Sequence, residues 1–203
     1  MGQSLEKHGE KDSFQLSQLR KKKLLCEFNT FFDINKDGVI TLSDFHSVRE
    51  RICKLNGWKP GSDKYDKTEE LFRDIWESLK EQADSNHDNK ITQEEWIRMW
   101  EQINEAESQG KINKFPHWLT SYLWYRFNMY DRTCDGIVDV EEFCYVLESF
   151  GIPERQSRQC FVIMTQNETK PLNFDYFCKL AGEYYRSDDP GALGNFITGR
   201  LAF

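Results

Sequence analysis

The sequence predicts an all-α chain made of four helix-loop-helix units, and three observations lead there. A stretch DINKDGVITLSD at 33–44 recurs as DSNHDNKITQEE at 84–95 and DRTCDGIVDVEE at 131–142, with a worn copy, TQNETKPLNFDY, at 165–176. Repetition of this kind marks one supersecondary unit used several times. Apolar residues flank every copy at the three- and four-residue spacing of a helix face. The eighth residue of each copy is β-branched or apolar (Ile40, Ile91, Val138, Leu172), which suits a short strand and lets loops join in pairs through two-stranded β ribbons.

Taken in order, Leu25, Phe28 and Phe32 precede the first loop and Phe45, Val48 and Ile52 follow it. Ile75 and Leu79 lead into the second, and Trp96, Met99, Trp100 and Ile103 lead out. The third has Leu123, Phe127 and Tyr130 before it, then Phe143, Val146, Leu147 and Phe150; the fourth has Phe161 and Met164, then Phe177 and Leu180. Gly57, Pro60 and Gly61 punctuate the first spacer, and Gly110 to Pro116 the second. The chain thus divides into a polar arm over 1–16, an N-terminal pair of units over 17–108, a C-terminal pair over 109–185 and a tail over 186–203.

The loops carry the chemistry. A hard cation such as calcium takes six to eight oxygens at about 2.3–2.6 Å, and a twelve-residue loop offers them from positions 1, 3, 5, 7, 9 and 12. In the first loop these are Asp33, Asn35, Asp37, the Val39 carbonyl, Thr41 and Asp44. The second supplies Asp84, Asn86, Asp88, the Lys90 carbonyl, Thr92 and Glu95; the third supplies Asp131, Thr133, Asp135, the Ile137 carbonyl, Asp139 and Glu142. Position six needs φ > 0, which Gly38, Asn89 and Gly136 accept. The fourth copy has Thr165, Asn167 and Thr169 where carboxylates belong, Lys170 and Pro171 in the turn and Tyr176 at the close. It reads as a silent partner without a cation.

Helix capping is the competing explanation, since Thr41/Asp44, Thr92/Glu95 and Asp139/Glu142 each have capping-box spacing. Capping accounts for the second half of each loop. It does not account for acidic residues at positions 1 and 5 in all three, because packed carboxylates repel unless a cation lies between them. Asp44 is one methylene shorter than glutamate and is expected to reach the ion through one oxygen, which favours six-coordinate magnesium as a competitor at 33–44.

Composition narrows the class. The 203 residues, 38% of them hydrophobic, suffice for a packed core, and a formal charge of −7 argues against a nucleic-acid binder. Three divalent cations would nearly cancel that charge. No run is long and apolar enough for stable membrane insertion, and the polar N-terminus lacks the apolar stretch of a signal peptide, so a cytoplasmic monomer is expected. The six cysteines show no metal-binding spacing and read as reduced thiols, mostly small core residues; His8, His46, His87 and His117 form no cluster. Gly2 follows the initiator, but Glu6 stands where a myristoylation pattern wants Ser or Thr. The run Arg20 to Lys23 reads as the solvated face of a first helix, with contact to anionic lipid as the alternative. With four methionines against six tryptophans, the interior reads as rigid aromatic packing rather than an adaptable target groove.

Over about residues 20–185 the chain resembles the EF-hand superfamily, and within it the invertebrate sarcoplasmic calcium-binding proteins and calexcitin. The resemblance rests on KKKLLCEFNTFFDINKDGVI, EEWIRMWE, FGIP and the tail SDDPGALGNFITGRL. It implies two EF-hand pairs fused face to face into one compact body, with the tail folded into the hydrophobic cleft. Aspartate closing the first loop is frequent in these relatives. Some related families hold a small apolar ligand in an aromatic groove. An insect relative is described as a juvenile hormone diol kinase and calexcitin has been associated with nucleotide binding, but this chain has no GxxxxGK[ST] cradle. The expectation is a non-enzymatic calcium buffer with three Ca2+ sites, a modest conformational signal and a possible role in calcium signalling. The alternative is a calcium-triggered signalling protein that recruits a membrane or protein target, and a kinase of the diol kinase type ranks third.

Overall fold

The structure is a computed structural model that describes residues 15–203. Gly2, Glu6, His8 and all but the last two residues of the expected arm lie outside the described residues. Leu16, the arm's last residue, is buried in the core.

Helix α1 (Gln18–Glu27) begins at Ser17, whose hydroxyl caps it by accepting from the Arg20 N–H. It runs without a break into a π-turn over Phe28–Phe32, where the Asp33 N–H donates to the Phe28 carbonyl at 2.8 Å. All three phenylalanines of that turn are buried. The first unit continues with β1 (Val39–Ile40) and α2 (Leu42–Leu55); the second comprises α3 (Asp63–Ala83), β2 (Ile91–Thr92) and α4 (Gln93–Ser108). The third unit is α5 (His117–Tyr130), β3 (Ile137–Val138) and α6 (Val140–Ser149), and the fourth is α7 (Glu154–Met164), β4 (Leu172–Asn173) and α8 (Phe174–Arg186). A 3-10 turn at Leu193–Phe196 follows. β1 pairs antiparallel with β2 and β3 with β4, setting Ile40 opposite Ile91 and Val138 opposite Leu172. The ribbons therefore join the loops at their eighth residues, as the sequence predicts.

One aromatic core spans both pairs of units. Phe32 meets Tyr122 at 4.7 Å between ring centres, Phe72 meets Tyr125 at 4.6 Å, Trp96 meets Trp118 at 5.7 Å, and Trp100 stacks on Tyr185 at 4.8 Å. Such rings bury large areas with few rotatable bonds, which favours a rigid interior. The enclosed space beside Phe31, Phe45, Phe72 and Tyr122 is only about 10 Å³, less than an apolar ligand needs. Four tryptophans (Trp76, Trp96, Trp100, Trp118) are buried, Trp58 packs partly against the core, and Trp124 is 52% exposed. Trp124 departs from the core-packing expectation because α5 turns its inner face through Tyr122, Leu123, Arg126 and Tyr130 instead.

The reading of Arg20 to Lys23 as a solvated face is corrected. Arg20 and Lys23 are buried, whereas Lys21 reaches outward to Glu101. Helical spacing puts 20, 23 and 27 on the inner face of α1, where each cation finds oxygen acceptors. Arg20 donates to the Tyr185 carbonyl and Asn104; Lys23 donates to the Ser187 carbonyl at 2.8 Å and Asn195 Oδ1 at 3.0 Å. Burial, aided by neighbouring Arg20, pushes the Lys23 ammonium down to about 8. For the same reason α1 turns Leu24 fully inward and leaves Leu25 half-buried.

The tail returns across α7 and α8. Ile197 is buried, and a Cβ on Gly194 would lie 2.2 Å from the Leu180 carbonyl, so only glycine allows that approach. All six cysteines are free thiols; Cys53, Cys144 and Cys160 are buried and Cys134 is exposed. His117 Nε2 lies 2.9 Å from Asp74 Oδ2, an isolated surface contact. Among the described residues no helix is long and apolar enough to cross a membrane.

Candidate functional site

Each of the first three loops opens from the end of a helix, so its first aspartate is held by helical hydrogen bonds. Asp84 N–H donates to the Lys80 carbonyl and Asp131 N–H to the Phe127 carbonyl, both at 2.9 Å. The carboxylate then folds over the loop. Asp33 accepts from the Asp37 N–H at 3.2 Å and the Gly38 N–H at 3.0 Å. Asp84 does the same with Asp88 at 3.2 Å and Asn89 at 2.9 Å, and Asp131 with Asp135 at 3.1 Å and Gly136 at 3.0 Å. Position 5 repeats the pattern two residues on, with Asp37, Asp88 and Asp135 accepting from the N–H groups of Val39, Lys90 and Ile137. These are Asx turns, and they shape the loop before any ion is considered.

The closing carboxylate works from the far side. Glu95 accepts from the Thr92 N–H at 3.0 Å and Glu142 from the Asp139 N–H at 3.1 Å, while Thr92 Oγ1 and Asp139 Oδ1 accept in return. Asp44 accepts from the Thr41 N–H at 3.0 Å. The other oxygen of each crosses the loop: Glu142 to the Thr133 N–H at 2.8 Å, Glu95 to the Ser85 N–H at 3.2 Å and Asp44 to the Asn35 N–H at 3.4 Å. The shorter Asp44 makes the longest of these crossings. Burial alone would raise the Glu95 carboxyl, but hydrogen bonds from Thr92 and Ser85 outweigh it and hold the group below the ordinary glutamate value.

Each of the first three loops therefore has a buried carboxylate at position 1 and another at position 12: Asp33 and Asp44, Asp84 and Glu95, Asp131 and Glu142. The intervening donors Asn35, Asp37, Asn86, Asp88, Thr133 and Asp135 are exposed. The closing carboxylates accept from hydroxyls as well, Asp44 from Thr41 Oγ1 at 2.7 Å and Glu95 from Ser85 Oγ and Thr92 Oγ1 at 3.0 Å, and a hydroxyl can turn away to give a divalent cation access to the oxygen. Among the described residues no group of three or more His, Cys, Asp or Glu side chains closes on a common point. The donor set is mixed, with asparagine, threonine and backbone carbonyls among its oxygens, as hard cations accept.

The fourth loop is closed on itself. Thr165 Oγ1 donates to the Phe161 carbonyl, Thr169 Oγ1 to the Gln166 carbonyl, and Tyr176, at the closing position, to the Met164 carbonyl at 2.7 Å. Its left-handed residues are Gln166, Asn167 and Glu168, consecutive, so its backbone follows a different path from the other three.

Sequence reasoning identified the left-handed sixth residues Gly38, Asn89 and Gly136 but missed a second left-handed site at position four: Lys36, His87 and Cys134. These residue types give no local signal; only their constant place two residues before the turn residue could have revealed them. It also missed Glu27 and Arg126, a fully buried pair with Arg126 Nη1 3.1 Å from Glu27 Oε1, between helices α1 and α5. Glu27 sits in an otherwise apolar helical pattern, and a charge there is normally read as surface.

Comparison with known families and structures agrees with this geometry. Residues 8–52 match the model of an EF-hand domain pair and residues 81–100 that of an EF hand. Sarcoplasmic calcium-binding proteins I, III and IV of Branchiostoma lanceolatum are 29% identical over 187 residues, covering 91% of this chain and 98% of the relative. Calexcitin-1 of Caenorhabditis elegans is 25% identical, covering 98% and 93%. The solved structure of a sarcoplasmic calcium-binding protein from amphioxus superposes with a TM-score of 0.76 at 26% identity, covering 91% of this chain and 98% of that one.

Proposed function

The chain belongs to the EF-hand superfamily, in the family of the sarcoplasmic calcium-binding proteins and calexcitin, and from that premise we propose a calcium buffer with three cation sites at 33–44, 84–95 and 131–142. The observation that carries the number is the pair of buried carboxylates at positions 1 and 12, present three times and replaced by Thr165 and Tyr176 in the fourth loop. The ligands are Asp33, Asn35, Asp37, Thr41 and Asp44 with the Val39 carbonyl; Asp84, Asn86, Asp88, Thr92 and Glu95 with the Lys90 carbonyl; and Asp131, Thr133, Asp135, Asp139 and Glu142 with the Ile137 carbonyl. Bound there, the cation neutralises the acidic side chains that each loop gathers. Magnesium competes best at the first loop, where Asp44 reaches least.

The interior supports a storage role. The reading is supported by an aromatic core shared between the halves and by a tail that lies across α7 and α8, which disfavour the open groove of a calcium sensor. The protein is proposed to act as a cytosolic monomer without catalysis. Titration calorimetry tests the count. Three calcium ions per chain are expected, one fewer after each of Asp33→Ala, Asp84→Ala and Asp131→Ala, and no change after Thr165→Ala. A stoichiometry other than three, or an unchanged one in any aspartate variant, would overturn the assignment.

A further inference from the structure

The ribbons join the first loop to the second and the third to the fourth. A separate set of contacts links the first loop to the third across the two halves. We infer that the first and third cation sites are thermodynamically coupled through the buried Glu27–Arg126 contact, with both residues positioning the helices that enter those sites. This rests on the reading of the loops as cation sites.

The placement is specific. Glu27 ends α1, and the π-turn Phe28–Phe32 carries the hydrogen-bonded backbone from it directly to Asp33. Arg126 lies in the last turns of α5, which continues to Tyr130 and hands on to Asp131. The Arg126 guanidinium donates to Glu27 Oε1 at 3.1 Å and lies over the Phe31 ring at 4.4 Å, so one group of α5 touches both the start and the middle of the first loop's entry. It also donates to Tyr130 Oη at 2.9 Å, the residue next to Asp131. Tyr185 Oη donates to the same Glu27 oxygen at 2.8 Å. The helices leaving the two loops meet as well: Arg51 of α2 donates to the Ser149 carbonyl at 2.9 Å and lies over the Phe150 ring at 5.3 Å, while Phe31 of the first loop's entry packs on the same ring at 5.1 Å.

Stability does not explain the pair. Glu27 is 0% and Arg126 2% exposed, and desolvation of two buried charges commonly offsets their attraction. Moreover Glu27 Oε2 and Arg126 Nε find no hydrogen-bond partner among the described residues. An incompletely satisfied buried network has little slack and depends steeply on geometry. A cation that draws in Asp33 shifts the π-turn and with it Glu27 and Phe31; Arg126 follows and reorients Asp131. The π-turn is the element through which the coupling is inferred to act, because a change of hydrogen-bond register there would hold or release its extra residue.

The test uses calcium titrations of the full chain in an Asp84→Ala background, which leaves the first and third sites. The coupling factor is the product of the two stepwise association constants in that chain divided by the product measured with each site alone, obtained by adding Asp131→Ala or Asp33→Ala. A factor of about ten is expected, in the ordinary range of site-site coupling, falling to within about twofold when Glu27→Gln and Arg126→Met are introduced together. That pair removes both charges at once and so avoids an orphaned one. Arg126→Lys, which keeps the charge but loses the fork, is a second variant and should retain an intermediate factor. A merely structural role would weaken each single-site affinity and leave the ratio alone. A factor of one in the native pair, or an unchanged factor after the double replacement, overturns the coupling while leaving the cation sites standing. Failure of the single-site chains to bind calcium overturns the site reading itself.

Discussion

Single residues decide what each loop can hold. Asp44 is buried and aimed into its loop, but its free oxygen crosses 3.4 Å to Asn35, against 2.8 Å for Glu142 to Thr133. One methylene is the difference in reach. Asp44→Glu is therefore expected to add a ligand oxygen at the first site and to raise its calcium-over-magnesium preference by about tenfold, roughly 1.4 kcal/mol of added discrimination. Calcium titrations with and without millimolar magnesium measure it, and an unchanged preference would contradict this account of Asp44. Lys23 shows the opposite lesson. Its charge suggested solvent, yet two oxygen acceptors on the returning tail make burial tolerable.

At the scale of elements, the tail behaves as a fifth packing unit of the C-terminal half. It is pinned by Ile197, by the Asn195–Lys23 bond and by the close approach of Gly194 to α8. Gly194→Ala forces a methyl group against a backbone carbonyl that cannot swing away. The expected result is a tail dislodged from α8, a loss of about 1–3 kcal/mol in unfolding free energy, and increased binding of a hydrophobic dye. Equal stability and dye binding in the variant and the parent would show that the tail contributes nothing there. The loop-helix junctions are more legible from sequence, because capping spacing and ligand spacing coincide in Thr92/Glu95 and Asp139/Glu142.

For the whole molecule, the decisive fact is that the two halves share one core. Phe72 on Tyr125, Trp96 on Trp118 and Trp100 on Tyr185 make the interior of each pair continuous with that of the other. Unfolding in calorimetry without added cation should accordingly give one cooperative transition, with calorimetric and van't Hoff enthalpies equal. Two resolved transitions would mean that the pairs fold separately.

The sequence by itself determined the local parts: the helices, the paired strands at Ile40, Ile91, Val138 and Leu172, and the spacing of the oxygen-bearing residues in each loop. Those depend on periodicities and turn preferences expressed within a dozen residues. Tertiary structure alone decided that Arg20, Lys23, Glu27 and Arg126 lie inside, that Trp124 lies outside, and that the first and third loops touch through their helices. A buried charge is favourable only if a partner from elsewhere in the chain arrives to meet it, and that partner stands 99 residues away from Glu27. No local pattern encodes such a meeting; it exists only once the halves have closed on one another.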